Sequence, residues 1–226
     1  MRKASTFFSS AQRERVAQCV VAAEATTSCE IVPIVATSSG RYDRPEDLVG
    51  LWFAVPTAIL LAIFYPPLLP EAGDWGFAAE FWGPIAALAA GIIVAFLIGA
   101  VLAARCAPLR RLFTPRAEMR EETAARAKQL YYDHRIHRTA TDVGVLIYVS
   151  LFERTASVVT GRTIADALGE AFATELCDRL TAGLHQGEPT ETLCRVIAEA
   201  GSRLSARWPA QADDVNELPD ALVLID

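Results

Sequence analysis

The chain has 226 residues, a formal net charge of −6 and 52% hydrophobic residues, and its mean hydropathy of +0.26 is high for a soluble protein. The acidic balance, with a sequence pI near 5.2, argues against the basic surface that a nucleic-acid partner requires. Nearly all of the apolar excess lies in two stretches in the middle, and the rest suffices for one ordinary domain with its own core.

Met1-Arg2-Lys3 runs straight into the polar segment Ser5 to Arg15. No apolar stretch of signal-peptide length follows, so no cleaved leader is expected. Ser9, with Gln12 three residues on, fits a capping box that opens a first helix. Val16, Cys19, Val20 and Ala23 then recur at helical spacing on one face, while Arg13, Glu14 and Glu24 keep the other wet. Thr26-Thr27-Ser28 breaks the helix, and Glu30 to Val35 reads as a short strand. Pro33 cannot donate to a ladder, which favours a sheet edge or a bulge.

Val49 to Leu69 and Phe81 to Ala104 each run for about 20 residues without a charge. At about 1.5 Å per residue, either crosses a hydrocarbon core roughly 30 Å thick. Residues 70–80 are too few to fold between them, so a transmembrane hairpin is expected, with both polar ends of the chain on one side of the bilayer. Arg41 and Arg44 precede the first span, and Arg105, Arg110, Arg111, Arg116 and Arg120 follow the second. The connecting segment carries Glu71 and Asp74 without Lys or Arg. The positive-inside rule therefore places both termini in the cytoplasm, if the bilayer is a bacterial inner membrane. Pro66 and Pro67 are expected to end the first span early.

In the second span Gly83, Ala87, Gly91, Ala95, Gly99 and Ala103 fall every fourth residue. Small residues at that spacing form a seam along which another helix backbone approaches closely. The tethered first span is the expected occupant, with homo-oligomerisation of the second span as the other. No ionisable residue lies in either span, which argues against an ion pathway.

Thr114-Pro115 is an N-cap followed by proline, opening a helix to about Ile136 with Met119, Thr123, Ala127, Leu130, Tyr131 and His134 on its apolar side. Val143 to Leu151 is apolar on both faces and therefore reads as a central strand. Phe152-Glu153-Arg154 turns into a second strand over Thr155 to Thr160, giving a hairpin. Two helices follow, about Ile164 to Ala182 and about Thr190 to Arg207, with Gly187 and Pro189 between them; Ala221 to Ile225 is a candidate final strand. The expected fold is an α/β (α+β) sandwich with a small mixed central sheet, interrupted by the two-helix transmembrane hairpin. Residues 1–46 and 108–226 form its two parts, around spans at 49–69 and 81–104.

The five cysteines are odd in number and lack CxxC spacing, so buried reduced thiols are expected. His134 and His137, three apart at a helix end, suit two imidazoles on one face for a metal. The attraction of a helix C-terminus for a cation explains them equally well. His185, beside Gly183 and Gly187, reads as a loop residue.

Several short motifs occur in a familiar order: Phe7-Phe8-Ser9 before a helix, Thr27 to Pro33 leading a strand, the inserted hairpin, His137-Arg138-Thr139, Gly144 to Leu151 with Glu153-Arg154, and Asn216 to Asp220 near the end. Together they resemble the TPM domain, and most closely its bacterial predicted-membrane-protein branch. The resemblance implies an α/β sandwich and leaves the function open, since members are described as an acid phosphatase, a photosystem maintenance factor and a receptor modulator. Relatives commonly carry Asp-Arg-Gly-Ile after the hairpin, where this chain has Gly161-Arg162-Thr163-Ile164. One candidate carboxylate ligand is thereby lost.

Glu30, Asp142, Glu153, Arg154 and Arg162 flank strands expected to be neighbours, and are the catalytic candidates for phosphate-ester hydrolysis. Glu30 and Asp142 are the candidate ligands for a divalent cation. No phosphate loop, paired Asp motif or HExxH accompanies them, and solvated strand-end charges are the simpler reading. No cofactor is expected beyond such a cation. The expected function is that of a membrane-anchored accessory or assembly factor that binds another membrane protein, with a metal-dependent phosphatase as the alternative.

Overall fold

The structure is a computed structural model that describes residues 3–42, 44–64, 77–138, 143–210, 218 and 221–226, with the backbone alone at 77–81 and 138. In chain order its elements are α1 (Ala4–Phe7), α2 (Ser10–Glu24), β1 (Glu30–Ala36), α3 (Arg44–Phe64), α4 (Phe77–Arg105), α5 (Ala107–Leu112) and α6 (Arg116–Asp133). A short 3-10 turn (Ile136–Arg138) follows, then β2 (Gly144–Ser150), β3 (Thr155–Thr160), α7 (Arg162–Leu168), α8 (Ala171–His185), α9 (Pro189–Ser205) and β4 (Val223–Ile225). Two units result: Met1–Gly40 with Arg116–Asp226, and Arg41–Pro115.

The first unit is built on a four-stranded sheet of order β3-β2-β1-β4. β1 runs parallel to both β2 and β4, and β2 and β3 form the antiparallel hairpin. Successive side chains on a strand point to opposite faces, and both interior strands are buried throughout. Ile31, Val35, Val145, Ile147 and Val149 pack one face against α2, α8 and α9 through Val16, Val20, Phe172, Leu176, Leu180 and Ile197. Val32, Ile34, Leu146 and Tyr148 pack the other against Ala127, Leu130 and Tyr131 of α6 and Ile136. The central position expected for β2 is observed.

β1 is an interior strand, contrary to the edge position that Pro33 favours. The N–H groups of Ile31 and Thr37 point away from β2, to the Glu24 carboxylate and to the Ile225 carbonyl. By alternation Pro33 presents its missing donor on that same side, one residue before pairing with β4 begins at Ile34. No ladder bond is therefore lost.

Three further expectations are corrected. The helix read from Ile164 to Ala182 is two helices, because Gly169 takes φ 77° and its N–H closes α7 on the Ala165 carbonyl. His185 is the last residue of α8 and not a loop residue. Cys19 of α2 and Cys194 of α9 form a disulfide across 175 residues, with Cα atoms 5.4 Å apart, so the thiols are not all reduced. Their pairing is set by how α2 packs on α9, which the cysteine count cannot show. The Ser9 capping box forms as expected, with Gln12 N–H on the Ser9 hydroxyl and Ser9 N–H on the Gln12 side chain.

In the second unit α3 and α4 pack as an antiparallel hairpin, and both are long and apolar enough to cross a membrane. Pro66 and Pro67 lie outside the described residues. A Cβ on Gly99 would stand 2.9 Å from the Gly50 Cα and from the Val49 carbonyl oxygen, and one on Gly91 would meet Leu61 at 2.9 Å. Ala103 is fully buried. The small-residue seam thus closes on α3 over its C-terminal half, whereas among the described residues nothing lies within 4 Å of a Cβ on Gly83, and Ala87 is exposed. Arg110 pairs with Glu46 at 3.5 Å at the start of the hairpin.

Candidate functional site

Polar side chains of the α/β unit collect beyond the carboxyl ends of the parallel strands, where open α/β sheets commonly place their sites. β1 ends at Ala36 and β2 at Ser150, which are paired in register. Just past them Glu153 is buried at 3% exposure. Its Oε1 accepts the backbone N–H of Ser39 at 2.8 Å and of Gly40 at 3.3 Å, and its Oε2 accepts the fully buried Ser150 hydroxyl. The Ser39 hydroxyl meets the Tyr148 hydroxyl at 2.9 Å and donates to Thr123 of α6 at 3.5 Å. Burial pushes the Tyr148 phenol above its ordinary range, and the neighbouring Glu153 charge adds to the rise.

This network ties the loop after β1 to the turn after β2. Hydrogen bonds to a charged acceptor are the strong class, and a buried carboxylate with three donors is well compensated. Ser150 has no exposure to substrate and Glu153 almost none. Their contact is therefore an anchor for the turn rather than a nucleophile and its base.

A second polar cluster lies at the same end of the sheet. Asp226 accepts the Ser5 hydroxyl at 2.6 Å, the Ser5 N–H at 3.0 Å and the Thr37 hydroxyl at 3.2 Å. The Ser5 bonds, with Thr37 and Lys3 nearby, hold the Asp226 carboxyl below its ordinary range. Ser5, Thr37, Ser39 and Asp226 carried no motif in the sequence, and Tyr148 stood only within the strand motif Gly144 to Leu151. They are brought together because β1, β2 and β4 are parallel and end together.

The catalytic candidates do not form one constellation. Glu30 begins β1, opposite Gly144. Arg162 follows Gly161, just past Thr160, which pairs with Val145 at that same end. Glu153 and Arg154 sit beyond the other end, roughly 20 Å away along seven-residue strands. Asp142 lies outside the described residues. Among the described residues no three His, Cys, Asp or Glu side chains gather to hold a metal ion. His137 stands in the 3-10 turn with its ring 5.0 Å from that of Tyr132.

On the α8 side of the same sheet end, a cavity of about 410 Å³ opens between α1, the β2–β3 hairpin and the α8–α9 connection. Phe7, Leu151, Ala156 and Leu184 are among its apolar walls, and Arg154 and His185 are its basic residues. Arg154 takes φ 52°, in the left-handed region that side chains other than glycine rarely occupy. Of these residues sequence reasoning named Arg154 as a site candidate and read His185 as a loop residue; the lining comes from separate elements of the chain.

No family model matches the chain, and no curated protein matches it either. Among solved structures it is similar to the NMR structure of the BA42 protein from the psychrophilic bacterium Bizionia argentinensis. The TM-score is 0.58 at 16% identity, over 99% of this chain and 99% of that one. At that identity the likeness is one of fold.

Proposed function

We propose that the protein is a membrane-anchored α/β domain of the TPM type that acts by binding, as an accessory factor for another membrane protein. The observation that carries this reading is the outward face of the hairpin. Only 17% of the most apolar window of α3 and 6% of that of α4 is buried, which supports a lipid-facing hairpin over core helices of a folded domain. Trp52, Ile63, Phe64, Trp82 and Ile93 are each more than half exposed. An apolar surface of that kind on paired helices is suited to lipid or to other spans.

The separation of Glu30 from Glu153 supports binding over hydrolysis, because the phosphatase reading needs its carboxylates in one site. The motif resemblance and the α/β fold favour the TPM family as the source of the scaffold. Purification from membranes in a mild detergent, followed by identification of co-purifying proteins, tests the reading. A reproducible integral-membrane partner, lost when the hairpin is replaced by an unrelated one, is the expected result. Release of the protein from membranes by alkaline carbonate would overturn the anchor.

The flanking arginines support a cytoplasmic α/β domain if the bilayer is a bacterial inner membrane. A reporter fused after Asp226 should therefore read as cytoplasmic. An extracytoplasmic readout would overturn that placement and would suit the Cys19–Cys194 bridge, since oxidising compartments preserve such bonds.

A further inference from the structure

The cavity beside the β2–β3 turn combines features that a purely structural gap has no need of. Its volume of about 410 Å³ lies in the range of small-molecule sites, roughly 300–1,000 Å³. Its walls are apolar at Phe7, Leu151, Ala156 and Leu184, and no carboxylate is found among the described residues that line it. Two basic side chains face it. Both are exposed, and His185 is the last residue of α8. Neither enters a salt bridge among the described residues.

The presentation of Arg154 is rigid. On one side the Phe152 N–H is bonded to the Thr37 carbonyl at 3.0 Å, and Glu153 is held by the network described above. On the other, Thr155 pairs with Ser150 at the start of β3. The left-handed backbone of Arg154 is thus imposed by fixed neighbours, a pattern often associated with ligand contacts.

We propose that this cavity binds a small monocarboxylate with an apolar body, such as an aryl or short alkyl acid. One guanidinium supplies a planar two-donor fork that matches a single carboxylate, and His185 adds a further donor. The apolar walls take the body of the ligand. This site is independent of the anchor and of any protein partner, so its loss would leave the accessory reading intact.

The test uses the full-length protein in nanodiscs, with empty nanodiscs as the control, and calorimetric titration with phenylacetate, its neutral analogue phenylacetamide, and acetate. Saturable phenylacetate binding is expected, at least tenfold tighter than either comparison compound. Arg154→Gln should weaken phenylacetate at least tenfold, His185→Gln should weaken it less, and Ala156→Leu should abolish binding by filling the cavity, all with unchanged circular dichroism. The proposal is overturned by absence of saturable binding to the folded wild type, by equal binding of phenylacetamide or acetate, or by an Arg154→Gln variant that binds like wild type.

Discussion

The Oε1 atom of Glu153 accepts the backbone N–H of Ser39 at 2.8 Å, and this single contact joins segments 114 residues apart at the carboxyl ends of β1 and β2. Glu153→Ala removes the acceptor for two backbone donors and one hydroxyl, and leaves polar groups buried without partners. A loss of about 2–3 kcal/mol is expected. For a domain of this size that corresponds to a melting point lower by roughly 5–10 °C. Thermal circular dichroism checks it, and Glu153→Gln, which keeps an acceptor for the loop, should lose less.

Tyr148 should ionise late. Its phenol is fully buried and its pKa is raised by that burial. A group whose folded pKa lies above its unfolded value contributes stability that is complete below the unfolded pKa, about 10 for tyrosine, and is lost as the pH rises through the folded value. Alkaline titration by ultraviolet absorbance should show a component ionising above the ordinary tyrosine range, together with loss of structure. Tyr148→Phe should remove that late component; a wild-type titration without any late component would contradict the buried placement.

Cysteine chemistry is expected to divide the five thiols unequally. Alkylation of the denatured, unreduced protein should label three, Cys29, Cys106 and Cys177, and prior reduction should expose Cys19 and Cys194 as well. In the native state Cys106, which is exposed, should react first. Burial pushes the Cys177 thiol up, and its S–H lies 3.3 Å from the Ala156 carbonyl, so it should react slowly. Breaking the bridge with Cys19→Ser is expected to cost about 2–4 kcal/mol, measured by denaturant unfolding of the oxidised protein beside the variant.

The small-residue seam of α4 should be sensitive at one end only. Gly99→Leu has no space, because its Cβ alone would press on the Gly50 Cα, whereas a Cβ at Gly83 meets nothing within 4 Å among the described residues. Gly99→Leu is therefore expected to lower the yield of folded protein and its thermal stability in detergent by several degrees. Gly83→Leu should leave both unchanged. Equal damage from the two variants would favour packing between copies along the whole seam.

Much of this architecture was legible locally. Two uncharged stretches of about 20 residues mark the long apolar helices by composition alone. Val143 to Leu151, apolar on both faces, identifies β2 as interior, and Ser9 with Gln12 marks the start of α2. These features depend on residues within a turn or two of one another, and side-chain periodicity and capping chemistry are local properties.

Strand order, by contrast, was decided by packing. It placed β1 between β2 and β4, turned the absent N–H of Pro33 toward the β4 side one residue before that pairing begins, and set Glu30 and Glu153 at opposite ends of the sheet. Docking of α2 on α9 brought Cys19 to Cys194 across 175 residues. The cavity at Arg154 exists only because α1, the β2–β3 hairpin, α8 and the start of α9 meet at one corner. Each relationship depends on burying apolar faces of distant segments against one another, and that long-range choice leaves no periodic trace in the sequence of either segment.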